Sequence, residues 1–309
     1  MNTQEACRMH QHGTLESYVR LIRVKHWIKN MFVLAPLIFS LKFCVPDSLF
    51  RVLIMFFSFS LASSVVYTIN DIADRERDRF HPDKKNRPIA SGVISVANAA
   101  ILAVALFSIA LAGAWYLSPQ AAAVVVAYVA LNLLYSYFLK HHPCIDVMGI
   151  AIGFLLRVIA GAIAIEVEVS EWMLLTTFFL SLLLGFGKRR KEMLATDGSI
   201  RHRVVFQQYS LELLNHLILI CAGLTIITYS IYVILSGNMI RLGSHRFVAT
   251  IPIVVFGVFR YLFLIYHEND GGDPADILLR DRAMQVDILL WGGTVFVLLL
   301  IALSQGVSI

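Results

Sequence analysis

The chain has 309 residues, 58% of them hydrophobic and only 15% charged, with a mean hydropathy of +0.72 and a formal net charge of +5. Soluble domains are about 45–50% apolar and about 25% charged, so the composition excludes an ordinary soluble domain and indicates a polytopic membrane protein. The positive charge gives no ground for nucleic-acid binding, because the basic residues form no stripe interleaved with aromatics.

In chain order, residues 1–27 are polar and basic and lack the early apolar stretch of a cleavable signal. They read as a cytoplasmic N-terminal segment ahead of one membrane domain, 28–309. A membrane-crossing helix needs roughly 20 apolar residues. Nine runs approach that length: 28–44, 50–70, 95–117, 120–139, 146–166, 171–188, 211–236, 247–266 and 286–304. The first is the shortest and contains Pro36. Nine spans predict an all-α bundle.

Lys and Arg in short loops set orientation. Of the 26, twenty fall on one side: the N-terminal segment, the second–third loop, Lys140, the 188–203 loop, Arg280 and Arg282. The other side holds Lys42, Arg51, Arg241 and Arg246, while Arg157 and Arg260 lie within spans. The expected location is a bacterial inner membrane, with the N-terminus cytoplasmic and the C-terminus outside. Cys7, Cys44, Cys144 and Cys221 have no metal or redox spacing.

The second span exits into "NDIADRERDRFHPDKKNRPIASG". Asn70, Asp74 and Asp78 are spaced i, i+4, i+8, and Asp71 lies three before Asp74. On a continued helix these form one face. Clustered carboxylates resist joint ionisation unless a cation sits among them. Hard oxygen ligands of this kind suit Mg²⁺, which binds one or two protein carboxylates together with substrate phosphate oxygens. The reading is a diphosphate held through Mg²⁺ by Asn70, Asp71, Asp74 and Asp78, with the three aspartates as the catalytic group. The competing reading is a solvated loop in which Arg75, Arg77 and Arg79 neutralise the acids. Lys84 and Arg87, just beyond, are placed to hold phosphate oxygens that the metal does not reach.

That stretch resembles the first Asp-rich motif, N-D-x-x-D-x-x-x-D followed by H-P-x-K-x-x-R-P-I-A-S-G, of the UbiA superfamily of intramembrane prenyltransferases. More narrowly, the chain is similar to the decaprenyl-phosphate phosphoribosyltransferase branch over nearly its whole length. "RVKHWIKNMFVLAPL" (23–37), "YSYFLKHHPCIDVMGIAIGFLLRVIAGAIA" (135–164), "GKRRKEM" (187–193) and "GDPADILLRDR" (272–282) carry the likeness. The resemblance implies a nine-helix bundle with a polar cavity open to the cytoplasm. It also implies the substrates, 5-phosphoribosyl 1-diphosphate and a polyprenyl phosphate, with Mg²⁺ as cofactor. The product would lead toward a D-arabinose donor, for cell-envelope arabinan or for arabinosylation of a secreted nodulation signal. No residue chooses between these.

Aromatic prenyltransferases of the superfamily carry a second Asp-rich motif in the sixth–seventh loop. Here that loop is basic, "GFGKRRKEMLATDGSIRHR", which favours a second anionic substrate over a neutral aromatic one. Lys188 and Arg189 are candidate lipid-phosphate ligands, although topology alone would also place them there. Within the fifth span, Arg157 is expected to hold a phosphate or to pair with an acid at the site, since an intramembrane charge usually faces a cavity or a partner. Asp146 is expected to orient Arg157 or Lys140, or to cap its helix. By resemblance Tyr137 and Lys140 would contact the sugar or its 5-phosphate; an interfacial aromatic and a snorkelling lysine are the plainer alternative. Gly149, Gly153 and Gly161 read as close helix contacts. An aromatic prenyltransferase, or a transporter or lipid-binding protein, competes with the phosphoribosyltransferase reading. Homo-oligomerisation is left open.

Overall fold

The computed structural model describes residues 16–80, 84–194, 209–267 and 280–305. The described residues are overwhelmingly helical, with no strand among them. Eight long helices dominate: α1 (Pro46–Ala73), α2 (Val96–Leu117), α3 (Pro119–Tyr137), α4 (Ile145–Ala164), α5 (Glu171–Leu194), α6 (Leu211–Leu235), α7 (Ile251–His267) and α8 (Arg282–Ser304). Eight helical segments, each built around one of these, are long and apolar enough to cross a membrane.

The helix starts are written in the sequence. Ser95, Ser118, Ser210 and Asp281 each accept a hydrogen bond from the backbone N–H three residues on, at 2.8–3.1 Å. Such caps satisfy N–H groups that the first turn leaves open. Pro46 and Pro119 occupy the first helical position, where a missing N–H is harmless.

The segment expected as the first span has a different form. Val24–Leu34 is a 3-10 helix, followed by a short α-helix, Ala35–Phe39, and a further 3-10 turn. A 3-10 helix rises about 2.0 Å per residue against about 1.5 Å for an α-helix. The stretch from Val24 to Phe39 therefore reaches about 30 Å, the thickness of the hydrocarbon layer, with fewer residues than an α-helix requires. It lies against α1 and α4. Gly161 makes that approach achievable, because a methyl group there would strike the Val33 carbonyl.

Contacts between helices define two ends of the bundle. Arg51 near the start of α1 bonds the Ala164 carbonyl and Glu166 at the end of α4. Arg23, just before the 3-10 segment, reaches Asp71 at the end of α1. The starts of α4 and α6 meet the ends of α5 and α7 through Asp146–Arg189, Arg190–Asn215 and Arg190–Ile265. One apolar core joins the 24–45 segment with α1–α4 (Val33, Met55, Phe59, Val125). A second joins α4 with α5–α8 (Val147, Leu183, Leu214, Ile265). The shared helix, α4, carries Asp146 and Arg157.

Candidate active site

The exit of α1 keeps its α-helical register through the charged stretch. The Asp74 N–H bonds the Asn70 carbonyl and the Asp78 N–H bonds the Asp74 carbonyl, both at 2.9 Å. A kink at Asp74 separates α1 from the short helix Arg75–Arg79. The register does not gather all three carboxylates. Asp71 and Asp78, seven residues and nearly two turns apart, are both buried, at 3% and 2% exposure. Asp74 lies to the side and pairs with Arg77 at 2.6 Å. Asn70 is half-buried beside them.

Two guanidinium groups neutralise the buried pair. Arg87 Nη1 donates to Asp71 Oδ1 at 3.0 Å and to Asp78 Oδ2 at 2.7 Å. Arg23 Nη2 donates to the same Asp71 oxygen at 2.7 Å. Arg23 also lies 4.8 Å over the Tyr67 ring and has a left-handed backbone, φ 56°. Such a conformation costs on the order of 1–3 kcal/mol and tends to occur at functional sites. Sequence reasoning missed Arg23, counting it only toward membrane orientation. Nothing in its local pattern sets it apart from its basic neighbours.

Among the described residues no three His, Cys, Asp or Glu side chains converge on one point. The donor set still suits a divalent cation. Two buried carboxylates present oxygens to a single positively charged group, with an amide and a further carboxylate adjoining. Hard oxygens in this arrangement match Mg²⁺.

A second polar cluster occupies the same end of α4. Asp146 is fully buried; it accepts from Arg189 Nε at 2.6 Å and from the Tyr209 hydroxyl at 2.8 Å. Arg189 also donates to Glu192 at 2.6 Å and to the Tyr135 hydroxyl at 3.1 Å. Burial pushes the Tyr209 phenol up, reinforced by the adjacent Asp146 carboxylate, so it stays protonated and donating. This corrects the expectation that Asp146 orients Arg157 or Lys140. Val147, the next residue, packs against Gly185 on α5, which turns the start of α4 toward the end of α5 and so toward Arg189. Tyr209 and Tyr135 had no sequence signal beyond being polar-tipped aromatics.

Arg157 stands elsewhere. It is buried mid-bundle and donates to Asn30 Oδ1 at 2.7 Å, the Gly153 carbonyl at 2.7 Å and the Tyr128 hydroxyl at 2.9 Å. Ser60 and Ser63 complete the network through Asn30 and Tyr128. Ser63 precedes Asp71 by eight residues, about 12 Å along α1. Among the described residues no carboxylate pairs with Arg157, so the expected acid partner is replaced by neutral oxygens. Sequence reasoning missed Asn30, whose one signal is an amide near the start of the 28–44 run.

The remaining candidates sit near the ends of helices. Tyr137 is exposed at the end of α3, and Lys140 is half-buried just after it. Lys84 is half-buried in the turn before Arg87, and Lys188 is half-buried on the last turns of α5. Most of the basic loop after Leu194 and the "GDPADIL" stretch lie outside the described residues.

These features define a membrane-embedded helical protein with a buried, cation-neutralised carboxylate pair at one end of its bundle. Residues 31–273 match the UbiA prenyltransferase family, and the chain belongs to it. It is a multi-pass membrane enzyme of that family. The decaprenyl-phosphate phosphoribosyltransferase of Mycobacterium tuberculosis is 36% identical over 285 residues, covering 90% of this chain and 92% of that protein. The protein of the same name in Corynebacterium glutamicum is 33% identical, covering 89% and 84%. Among solved structures, a UbiA homolog from Archaeoglobus fulgidus bound to DMAPP and Mg²⁺ aligns with a TM-score of 0.71 over 92% of this chain and 99% of that chain, at 19% identity.

Proposed function

We propose that this protein transfers 5-phosphoribose from 5-phosphoribosyl 1-diphosphate to a polyprenyl phosphate, in a bacterial inner membrane with the Asp71 end facing the cytoplasm. The observation that carries this reading is the likeness to decaprenyl-phosphate phosphoribosyltransferases along nine-tenths of the chain. The bond from the anomeric carbon to the diphosphate oxygen breaks, and a lipid phosphate oxygen bonds to that carbon. The products are polyprenyl-phosphoryl-5-phosphoribose and diphosphate.

Asp71 and Asp78 would hold Mg²⁺, with Asn70 and Asp74 at its margin. Bound there, the metal supplies charge neutralisation for the leaving diphosphate. Arg87 and Arg23 already lie against the carboxylates and can turn to phosphate oxygens, for which the guanidinium fork is well suited. Lys84 stands on the same turn as Arg87. The attacking oxygen is anionic, so no general base is required, and catalysis rests on positioning and charge stabilisation. In this reading Tyr137 and Lys140 border the sugar phosphate, while Lys188 marks the approach of the lipid phosphate. Arg157 offers a cation deeper in the bundle. Asp146 and Arg189 act through each other and hold the ends of α4 and α5 together.

The test is a transfer assay with purified protein, radiolabelled phosphoribosyl diphosphate, polyprenyl phosphate and Mg²⁺, with an Asp74→Ala control. Label entering the organic phase, and lost in the control, supports the reading. No transfer, with prenylation of 4-hydroxybenzoate from a polyprenyl diphosphate instead, overturns it in favour of an aromatic prenyltransferase.

A further inference from the structure

The last two long helices enclose a feature that the transfer reaction does not use. An open groove of ≈ 590 Å³ runs between α7 and α8. Ile253, Phe256, Val286 and Leu290 form its apolar wall, and two charged residues of α8, Arg282 and Asp287, also line it. Asp287 is only 8% exposed. Its Oδ2 lies so close to α7 that a methyl group on Gly257 would strike it. Among the described residues none donates a hydrogen bond to Asp287 or forms an ion pair with it. The nearby Arg260 is committed to Asp281 through both Nε and Nη2, at 3.2 and 2.6 Å.

A carboxylate without a partner inside a membrane span is expensive and usually marks a site. This one faces a groove that contains its own cation. Arg282 is exposed at the start of α8, five residues before Asp287, about 7.5 Å along the helix axis. The two charges thus form an anion-binding point and a cation-binding point on one apolar wall. Of the cations deeper in the bundle, Arg157 is buried among neutral oxygens and Arg260 is paired with Asp281, so neither turns to Asp287.

We propose that the α7–α8 groove binds a membrane phospholipid with a primary-ammonium head, phosphatidylethanolamine being the common case. Its ammonium donates to Asp287, its phosphate accepts from Arg282, and its chains lie along Ile253, Phe256, Val286 and Leu290. A quaternary ammonium lacks the N–H donors a buried carboxylate needs, and an anionic lipid brings no cation to Asp287. The inference is independent of the transfer reaction.

The experiment uses the full chain in mild detergent, exposed in turn to phosphatidylethanolamine, phosphatidylcholine and phosphatidylglycerol. Lipid retention is read by native mass spectrometry and the unfolding midpoint by a thermal shift. Wild type should retain phosphatidylethanolamine roughly tenfold better than phosphatidylcholine, the scale of one charge-assisted hydrogen bond, and melt at a higher temperature with it. Asp287→Asn should abolish that preference. Arg282→Gln, a substitution at an exposed position, should weaken retention of phosphatidylethanolamine and of phosphatidylcholine alike, since both carry the phosphate, and leave the preference between them in place. Equal retention of the three lipids, a preference for phosphatidylglycerol, a phosphatidylethanolamine preference that survives Asp287→Asn, or a lipid-free dimer that either substitution disrupts would overturn the proposal.

Discussion

Two arginines inside this bundle solve the same problem in opposite ways. Arg189 is surrounded by charge: Asp146 and Glu192 bind it, and the Tyr135 hydroxyl adds a third acceptor. Arg157 is surrounded by neutral oxygens and by the faces of Tyr128 and Phe154, 4.8 and 5.0 Å away. A buried ion pair repays its desolvation only when geometry and remaining hydrogen bonds are good, and losing one partner leaves an uncompensated charge. Arg189 meets that condition and is thereby fixed. Arg157 has its donors partly satisfied and no carboxylate opposite it among the described residues, and the proposed function gives it an anion to meet. The contrast separates an ion-paired clamp from a cation held by neutral groups, although the sequence presents both simply as arginines in or near a span.

The sharpest way to break that contrast is Asp146→Asn. It should destabilise the protein by about 3–5 kcal/mol, since Arg189 would keep only Glu192 as counter-charge. Unfolding in detergent measures it, and a loss under about 1 kcal/mol would mean that Arg189 is not held as a clamp. Arg157→Met should cost less stability, about 1–3 kcal/mol, because only neutral partners are stranded. Transfer activity should nonetheless fall at least tenfold, and Arg157→Lys should not restore it, since a point charge cannot reproduce the planar fork. Tyr209→Phe removes one neutral donor from the clamp, for about 1 kcal/mol, with transfer activity reduced far less than by Arg157→Met.

The smallest effect concerns a pair of intermediate character, Arg260–Asp281. The Arg260 hydrogen bond holds the Asp281 carboxyl below the usual carboxylate range, although burial opposes it. A carboxylate depressed on folding contributes stability that is present above its unfolded pKa, near 3.9, and is lost as pH falls through the lower folded value. Thermal midpoints should therefore drop slightly below about pH 4, and the Asp281→Asn variant should lack that component. A pH response unchanged by the substitution would assign the acid sensitivity to other groups.

Much of the fold was legible because hydrophobic length is a strong signal in a membrane protein. The last eight expected runs each coincide with one of the long helices, with α1, α5 and α8 extending several residues beyond their expected bounds. The 28–44 run was misjudged in form rather than in place. Apolar composition gives the reach of a segment but not the choice between α and 3-10 hydrogen bonding, which packing against Gly161 and α1 accompanies. At the site, the i, i+4 rule foretold a shared face but not which acids would be buried. A kink at Asp74 turned that residue out and left Asp71 with Asp78 as the pair. Asp78 lies nine residues from Arg87, Asp146 lies 43 from Arg189 and Asn30 lies 127 from Arg157, pairings beyond the reach of local pattern.

The 3-10 form of Val24–Leu34 also makes this stretch a three-sided key. With three residues per turn, side chains at i and i+3 stack in a straight row. Trp27, Asn30 and Val33 form such a row: the indole meets Ser64, the amide meets Arg157, and the Val33 side chain enters the apolar core. One residue inserted between Trp27 and Asn30 would rotate the preceding part of the row by about 120° relative to the remainder. The indole would leave Ser64 while the amide kept Arg157, splitting the key at its midpoint. A substitution along this edge disturbs its own contact, whereas a change in length displaces every contact on one side of it.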